Sequence, residues 1–223
     1  MRSAFKFIQK HILACSPVKR FIFPRYQYSF SPVQLGLINK YFVESHDIYG
    51  ISLEIGCFVG ATTVFLNTNY RYGLNSRPYL CYDTFSGFTA SDIAHEEAKR
   101  GKDLSHVHDE TLFKVNSLHW FKYTMAINGL TNVVTHQMDV NHLRAADLTS
   151  DISFALIDVD LYLPTMASLE AVFPRLAPGG VILVDDCIEN SIFDGSLQAL
   201  HSFCGNHGLS YRIEAGKIGV LRK

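Results

Sequence analysis

No stretch of this 223-residue chain is apolar for long enough to cross a bilayer as a helix, so no membrane-spanning segment is expected. Charge is sparse in both signs. Charged residues make up 18% and the formal net charge is −1, which leaves no overall basic signature for nucleic acid. Cysteine is scarce, odd in number and never in a CxxC pair: Cys15, Cys57, Cys81, Cys187 and Cys204. That excludes the usual zinc-ribbon spacing and argues for reduced thiols in a cytoplasmic protein, three of them in or beside apolar strands. Repeats and low-complexity linkers are missing too. Acidic residues are absent from Met1 to Val43, where Arg2, Lys6, Lys10, Lys19, Arg20, Arg25 and Lys40 stand. Neither an unbroken apolar stretch nor a small-residue cleavage site marks a signal peptide there. With Phe5, Ile8, Ile12 and Leu13 at helical spacing, this arm either touches a membrane surface or packs on its own domain or on a second subunit of a homo-oligomer.

What is present is a 48% hydrophobic composition, enough for one continuous core. Ser31-Pro32-Val33-Gln34 reads as a helix start, with Ser as N-cap, Pro in the first turn and Gln closing a capping box. That helix is expected to run to about residue 44. Strands are then expected over 51–55, 79–83, 133–138, 154–158 and 181–184, with helices over 61–69, 110–128, 165–176 and 195–204. The chain closes with a hairpin, 210–213 and 218–221. Alternating strands and helices predict an α/β fold: a Rossmann-like, doubly wound sheet, mostly parallel with an antiparallel C-terminal hairpin, plus N-terminal helices. Residues 1–48 are expected as an N-terminal helical arm and 49–223 as the main domain. Residues 89–108 are polar, show no core face, and are expected to form a mobile lid inserted after the second strand.

The chemistry gathers at strand ends. Glu54-Ile-Gly56-Cys-Phe-Val-Gly60 follows a strand and opens a helix. Gly56 permits a tight turn and Gly60 a close helix approach. The middle glycine of a dinucleotide fingerprint is missing, so a pyrophosphate fits poorly, and alone this could be a plain structural turn. Asp83 ends the next strand, about 20 residues on, where an acid accepts bonds from ribose hydroxyls or caps a helix. Asp139 ends the third strand and could meet an adenine or ribose edge or act as an N-cap. Asp158-Val159-Asp160 and Asp185-Asp186 end the fourth and fifth. Bare carboxylates on adjacent strand ends repel, and a hard divalent cation such as Mg²⁺ relieves this, so Asp158, Asp185 and Asp186 are the expected metal ligands. His106 and His108 read as surface residues, and His95 and His119 as residues that could face a site. Trp120, Phe121 and Tyr123 read as core or dimer surface.

On the blocks Leu53-Glu-Ile-Gly56, Asp83-Thr-Phe-Ser-Gly-Phe88, Ile157-Asp-Val-Asp-Leu-Tyr162 and Pro178-Gly-Gly-Val-Ile-Leu-Val-Asp-Asp186, the chain resembles a class I S-adenosylmethionine-dependent methyltransferase. More narrowly, it is similar to the macrocin O-methyltransferase (TylF-like) family. The resemblance implies a Mg²⁺-dependent O-methyltransferase that acts on a hydroxyl of a small molecule or sugar. It implies that Glu54, Gly56 and Gly60 shape the methionine pocket, Asp83 binds ribose, and Asp158, Asp185 and Asp186 hold the metal. Asp158, Asp160 and Asp186 are the candidates to take the acceptor's proton. Two readings of other classes remain: a dinucleotide-dependent oxidoreductase, against which the missing glycine and the absence of a Tyr-x-x-x-Lys pair argue, and a non-catalytic nucleoside-binding protein that keeps the fold.

Overall fold

The computed structural model describes residues 28–68, 77–104 and 116–223, and of the first 27 only 8, 9, 12, 15, 16 and 26. Two compact units are formed, Met1–Ser31 and Pro32–Lys223. The boundary expected after residue 48 therefore falls inside the second unit. Most of the basic arm, and its expected membrane-surface face, lies outside the described residues. Among those described, no helix is long and apolar enough to cross a membrane.

The larger unit is a seven-stranded sheet in the order β3-β2-β1-β4-β5-β7-β6. Its strands are β1 Ile51–Ile55, β2 Tyr79–Asp83, β3 Val133–Gln137, β4 Ile152–Ile157, β5 Leu176–Val184, β6 Tyr211–Glu214 and β7 Ile218–Arg222. β1 to β5 pair in parallel, and β7 joins β5 antiparallel, with β6 outermost. The expected sheet is thus present. β4 is buried at every position, Ile152 to Ile157, as a central strand covered on both faces must be. The order reverses between β1 and β4, so the switch point lies between the ends of these two strands.

The α-helices described in this unit are α1 Pro32–Glu44, α2 Ala61–Thr68, α3 Ala90–Arg100, α4 Leu118–Ile127, α5 Tyr162–Val172 and α6 Gly195–His207. In α1, Leu35, Ile38 and Phe42 fall on one face and are buried, with the Phe42 ring edge-on to Phe154 at 5.2 Å. α5 and α6 supply Leu169, Val172, Leu200 and Phe203 to the main core against Ile157, Ile182 and Val184. Each such side chain contributes about 1.5–3 kcal/mol by leaving water.

One expectation is corrected. Residues 90–100, read as part of a coreless polar insertion, form helix α3 with a buried face of Asp92, Ile93 and Glu96, followed by the fully buried Leu104. Thr89 caps it by accepting from the Asp92 N–H, and Gly101 ends it in the left-handed conformation. Its buried positions are largely charged, so no apolar stripe betrayed it. Residues 105–108 of the expected lid, with His106 and His108, lie outside the described residues.

Candidate active site

Backbone strain collects where the strands of the parallel sheet end. Phe58, Phe85, Asp160 and Asp186 all have positive φ, at 45°, 52°, 62° and 54°, and they follow β1, β2, β4 and β5 respectively. A non-glycine residue held there costs about 1–3 kcal/mol and persists where surrounding structure demands it, commonly at a functional site.

The turn after β1 is pressed against β4. Gly56 has φ 85°, and a Cβ on it would lie 1.8 Å from the Asp158 carbonyl oxygen. The Gly56 N–H donates to Tyr82 O, and Asp158 N–H donates to Ile55 O at 2.8 Å. Asp83 then fixes the turn from the β2 side. Its Oδ2 accepts from the Cys57 and Phe58 N–H groups, both at 2.8 Å, and its Oδ1 accepts from Phe85 N–H at 2.6 Å. Burial pushes the Asp83 carboxyl up, and those three amides hold it back down. Three of its roughly four acceptor positions are thus taken by backbone. Asp83 shapes the turn directly, with little capacity left over for a ribose hydroxyl.

Glu54 lies beneath the turn, 2% exposed. Its Oε2 accepts from Thr63 Oγ1 at 2.7 Å and from Tyr79 OH at 2.9 Å. Burial raises its carboxyl to about 7, against the pull of the two hydroxyls. Gly60 serves α4: a Cβ there would meet Met125 Cε at 2.5 Å and Phe121 at 3.0 Å. Asn116 joins the turn by donating from Nδ2 to Phe58 O, and its buried Oδ1 has no partner. Asp139 adopts the capping role, accepting from Asn141 N–H at 2.9 Å.

Across the switch point, Asp158, Asp160, Asp185 and Asp186 form one cluster. Asp185 is 4% exposed, and the other three are half-buried. Burial first, then mutual repulsion, pushes Asp158 well above the usual carboxylate range. Asp160 is pushed up likewise by burial and by a hydrogen bond and charge from Asp186. Burial and Asp186 bring Asp185 to about 6. One cation is already there. Lys217 Nζ lies 2.7 Å from Asp185 Oδ2 and 2.7 Å from Asp186 Oδ1. Burial pulls this ammonium down, yet attraction from Asp185 and the hydrogen bonds raise it further. The Asp185 Oδ1 atom is buried and has no partner.

The metal ligands expected from the sequence are thus brought together, but loosely. Among the described residues, the three ligand atoms that all approach within 4.8 Å of one another belong to Glu54, Cys57 and Cys81, and not to the aspartates. Those two thiols are pushed up by burial and stay protonated, as core sulfur does.

Helix α3 supports the carboxylate turn from above. Glu96, 1% exposed, accepts from the Tyr162 N–H at 2.7 Å through Oε1, and from Arg100 through Oε2. It thereby caps α5, which begins two residues after Asp160. Arg100 and Lys102 both bind Asp194 at the start of α6. His95 stacks on Tyr162 with centroids 5.6 Å apart, whereas His119 is exposed on α4 beside Trp120. Trp120 and Tyr123 are exposed, and Phe121 is core.

The sequence profile of the macrocin-O-methyltransferase (TylF) family matches residues 39–218, most of the chain. The chain belongs to this family. A stretch of 62 residues of this TylF-family chain is 36% identical to an enzyme of Streptomyces olivaceus, 8-demethyl-8-(2,3-dimethoxy-alpha-L-rhamnosyl)-tetracenomycin-C 4'-O-methyltransferase. That stretch covers 28% of this chain and 22% of the relative, so the chain spans about a fifth of the relative's length. In fold it is similar to the O-methyltransferase NovP, with TM-score 0.75, 16% identity, 89% of this chain and 83% of that one. It is also similar to the calicheamicin methyltransferase CalS11, with TM-score 0.66, 19% identity, 96% of this chain and 90% of that one. The sheet is therefore that of Rossmann-like methyltransferases.

Sequence reasoning missed Lys217, Asn116 and Glu96. Lys217 sits in a hairpin turn more than 30 residues from the aspartates it binds, and Glu96 looks like one of several surface charges. Both become visible only when the sheet closes.

Proposed function

We propose that this TylF-family chain is an S-adenosylmethionine-dependent, divalent-metal-assisted O-methyltransferase whose acceptor is a hydroxyl on a sugar or sugar-bearing small molecule. One observation carries the reading. The strained glycine turn that would cradle the cofactor and the carboxylate cluster that would face the acceptor are packed backbone to backbone, Gly56 on Asp158. The family match supports the reaction class, and the rhamnosyl substrate in the relative's name supports a sugar-type acceptor.

The cofactor would supply a methyl group activated on a sulfonium. The chain's part is to hold it. The Gly56–Gly60 turn would cradle it, and Asp83 keeps that turn in one shape through three hydrogen bonds. Glu54, buried and tied to Thr63 and Tyr79, floors the methionine pocket. Positioning a nucleophile against the methyl group in this way is worth up to about 7–11 kcal/mol.

The carboxylates fit a hard cation. They offer only oxygen donors, four carboxyl groups face the single ammonium of Lys217, and Asp185 Oδ1 is buried without a partner. Asp158, Asp185 and Asp186 would hold the ion, which would lower the pKa of a bound hydroxyl. Asp158, Asp160 and Asp186 are the candidates to take the hydroxyl proton, since they stand together at the ends of β4 and β5.

The experiment is mass-spectrometric detection of methyl transfer from S-adenosylmethionine to a panel of nucleotide-linked deoxysugars and rhamnosyl glycosides, run in EDTA and after Mg²⁺ add-back. Methylated sugar that appears only with Mg²⁺ supports the reading. No methyl transfer to any member, with S-adenosylhomocysteine still bound, would favour the non-catalytic nucleoside-binding alternative; no binding of S-adenosylhomocysteine would overturn the cofactor assignment.

A further inference from the structure

We infer that Lys217 is a resident counter-ion of the carboxylate cluster and sets how tightly the cluster binds a divalent cation. This rests on the metal-assisted reading above and adds a residue to it. The lysine is not a surface side chain that happens to point inward. Its backbone is fixed, because Cys187 N–H, next in sequence to Asp186, donates to Lys217 O at 2.9 Å. The pairing of Glu214 with Ile218 leaves Ala215, Gly216 and Lys217 as the loop of the β6–β7 hairpin. Ala215 and Gly216 both take positive φ, at 48° and 83°, which turns the chain tightly enough to present Lys217 to the end of β5. Ala215 is strained by this where glycine would not be, and Gln34 Nε2 donates to its carbonyl at 3.3 Å. The side chain is 17% exposed, and its ammonium bridges Asp185 and Asp186 with two contacts of 2.7 Å.

Two effects on a bound cation oppose each other. The ammonium orients Asp185 and Asp186, which favours binding. It also occupies one oxygen of each and repels any second cation seated nearby. Orientation is worth about one hydrogen bond per carboxylate. Repulsion between a unit charge and a divalent ion a few ångströms apart, in a half-buried site, is several times larger. Repulsion wins. The cluster should therefore hold its ion weakly while Lys217 is in place. The ion's seats are the oxygens the lysine leaves: Asp185 Oδ1, the second oxygen of Asp186, and the carboxylate of Asp158.

The test is Mn²⁺ binding to the full chain without cofactor or acceptor, followed by the electron paramagnetic resonance signal of free Mn²⁺, with Mg²⁺ as competitor. Wild type, Lys217→Met, Lys217→Gln, Lys217→Arg and Asp158→Asn are compared, each checked for fold by circular dichroism. The expected result is binding about tenfold or more tighter in the two neutral variants. Lys217→Arg, which keeps the charge, should stay within about threefold of wild type. Two neutral variants of different polarity keep the test open if one fails to fold. A cation bound only by the neutral variants, and lost when Asp158→Asn is added, supports the inference equally. Equal or weaker binding in the neutral variants overturns it and leaves the metal-assisted reading standing, provided wild type binds Mn²⁺ and Asp158→Asn does not. No binding by any variant overturns both.

Discussion

Gly56 and Asp158 meet backbone to backbone across the switch point of the sheet, so closely that a Cβ on Gly56 would lie 1.8 Å from Asp158 O and 2.6 Å from its carbonyl carbon. The glycine turn and the carboxylate turn therefore cannot move independently. Gly56→Ala must shift one strand end and also place a Cβ at φ 85°. The variant should lose at least about 2 kcal/mol of stability, since alanine at positive φ is strained before the clash is counted. It should also lose measurable affinity for both S-adenosylhomocysteine and Mn²⁺. Urea denaturation and calorimetry check this; cofactor affinity lost with cation affinity intact would break the proposed coupling.

Asp83→Ala removes one acceptor from three backbone amides, those of Cys57, Phe58 and Phe85. S-adenosylhomocysteine affinity should fall by about 1–3 kcal/mol. Because the carboxylate is engaged by backbone, the same substitution should weaken binding of 2′-deoxy and 3′-deoxy analogues by about as much as it weakens the parent ligand. A loss in Asp83→Ala that vanishes for the deoxy analogues would instead make ribose its principal partner.

Glu54 gives the fold a pH dependence of its own. Its carboxyl titrates at about 7 when folded and at 4.5 when unfolded. Between those values the folded chain keeps a proton that the unfolded chain loses. The stabilisation is complete below about 4.5 and is lost as pH rises to about 7, a change of a few kcal/mol at most. Glu54→Gln stays neutral and keeps an acceptor for Thr63 and Tyr79. Its stability relative to wild type should rise across that window, as read by urea denaturation at several pH values. Parallel pH profiles for the two proteins would refute the assignment.

Glu96 links helix α3 to the carboxylate turn. Glu96→Ala removes one of the two carboxylates that hold the half-buried Arg100, leaving Asp194, and uncaps α5 at Tyr162. Losing a charged hydrogen bond and a cap together costs about 2–3 kcal/mol. Thermal melting should show the loss, and Mn²⁺ affinity should fall with it, because Asp158 and Asp160 lie in the turn that the cap holds. Unchanged stability would mean that α3 is only loosely attached.

The sheet was legible because its strands are short apolar runs separated by helices, and the acidic strand ends were legible as clustered chemistry. What was illegible shares one cause: polar residues whose partners are distant in sequence. The buried face of α3 is Asp92 and Glu96, satisfied by Asn141 and by Arg100 with Tyr162, so no apolar period announced it. The fifth helix starts at Tyr162 and not near residue 165, because Glu96 caps it from 66 residues away. β5 runs through Pro178-Gly179-Gly180, read as a break, since Gly179 N–H and Gly180 O pair with the chain end at Lys223. Asp83 was found by its position at a strand end, but its hydrogen bonds go chiefly to the turn that it shapes.

The most direct measurement is methyl transfer from S-adenosylmethionine to a rhamnosyl or nucleotide-linked deoxysugar acceptor by wild type and Asp158→Asn, each with EDTA and with Mg²⁺ restored. The account predicts transfer by wild type that EDTA abolishes and Mg²⁺ restores. It predicts little transfer by Asp158→Asn, which should still bind S-adenosylhomocysteine. Full transfer in EDTA, or by Asp158→Asn, would contradict it and leave a methyltransferase that works without a metal.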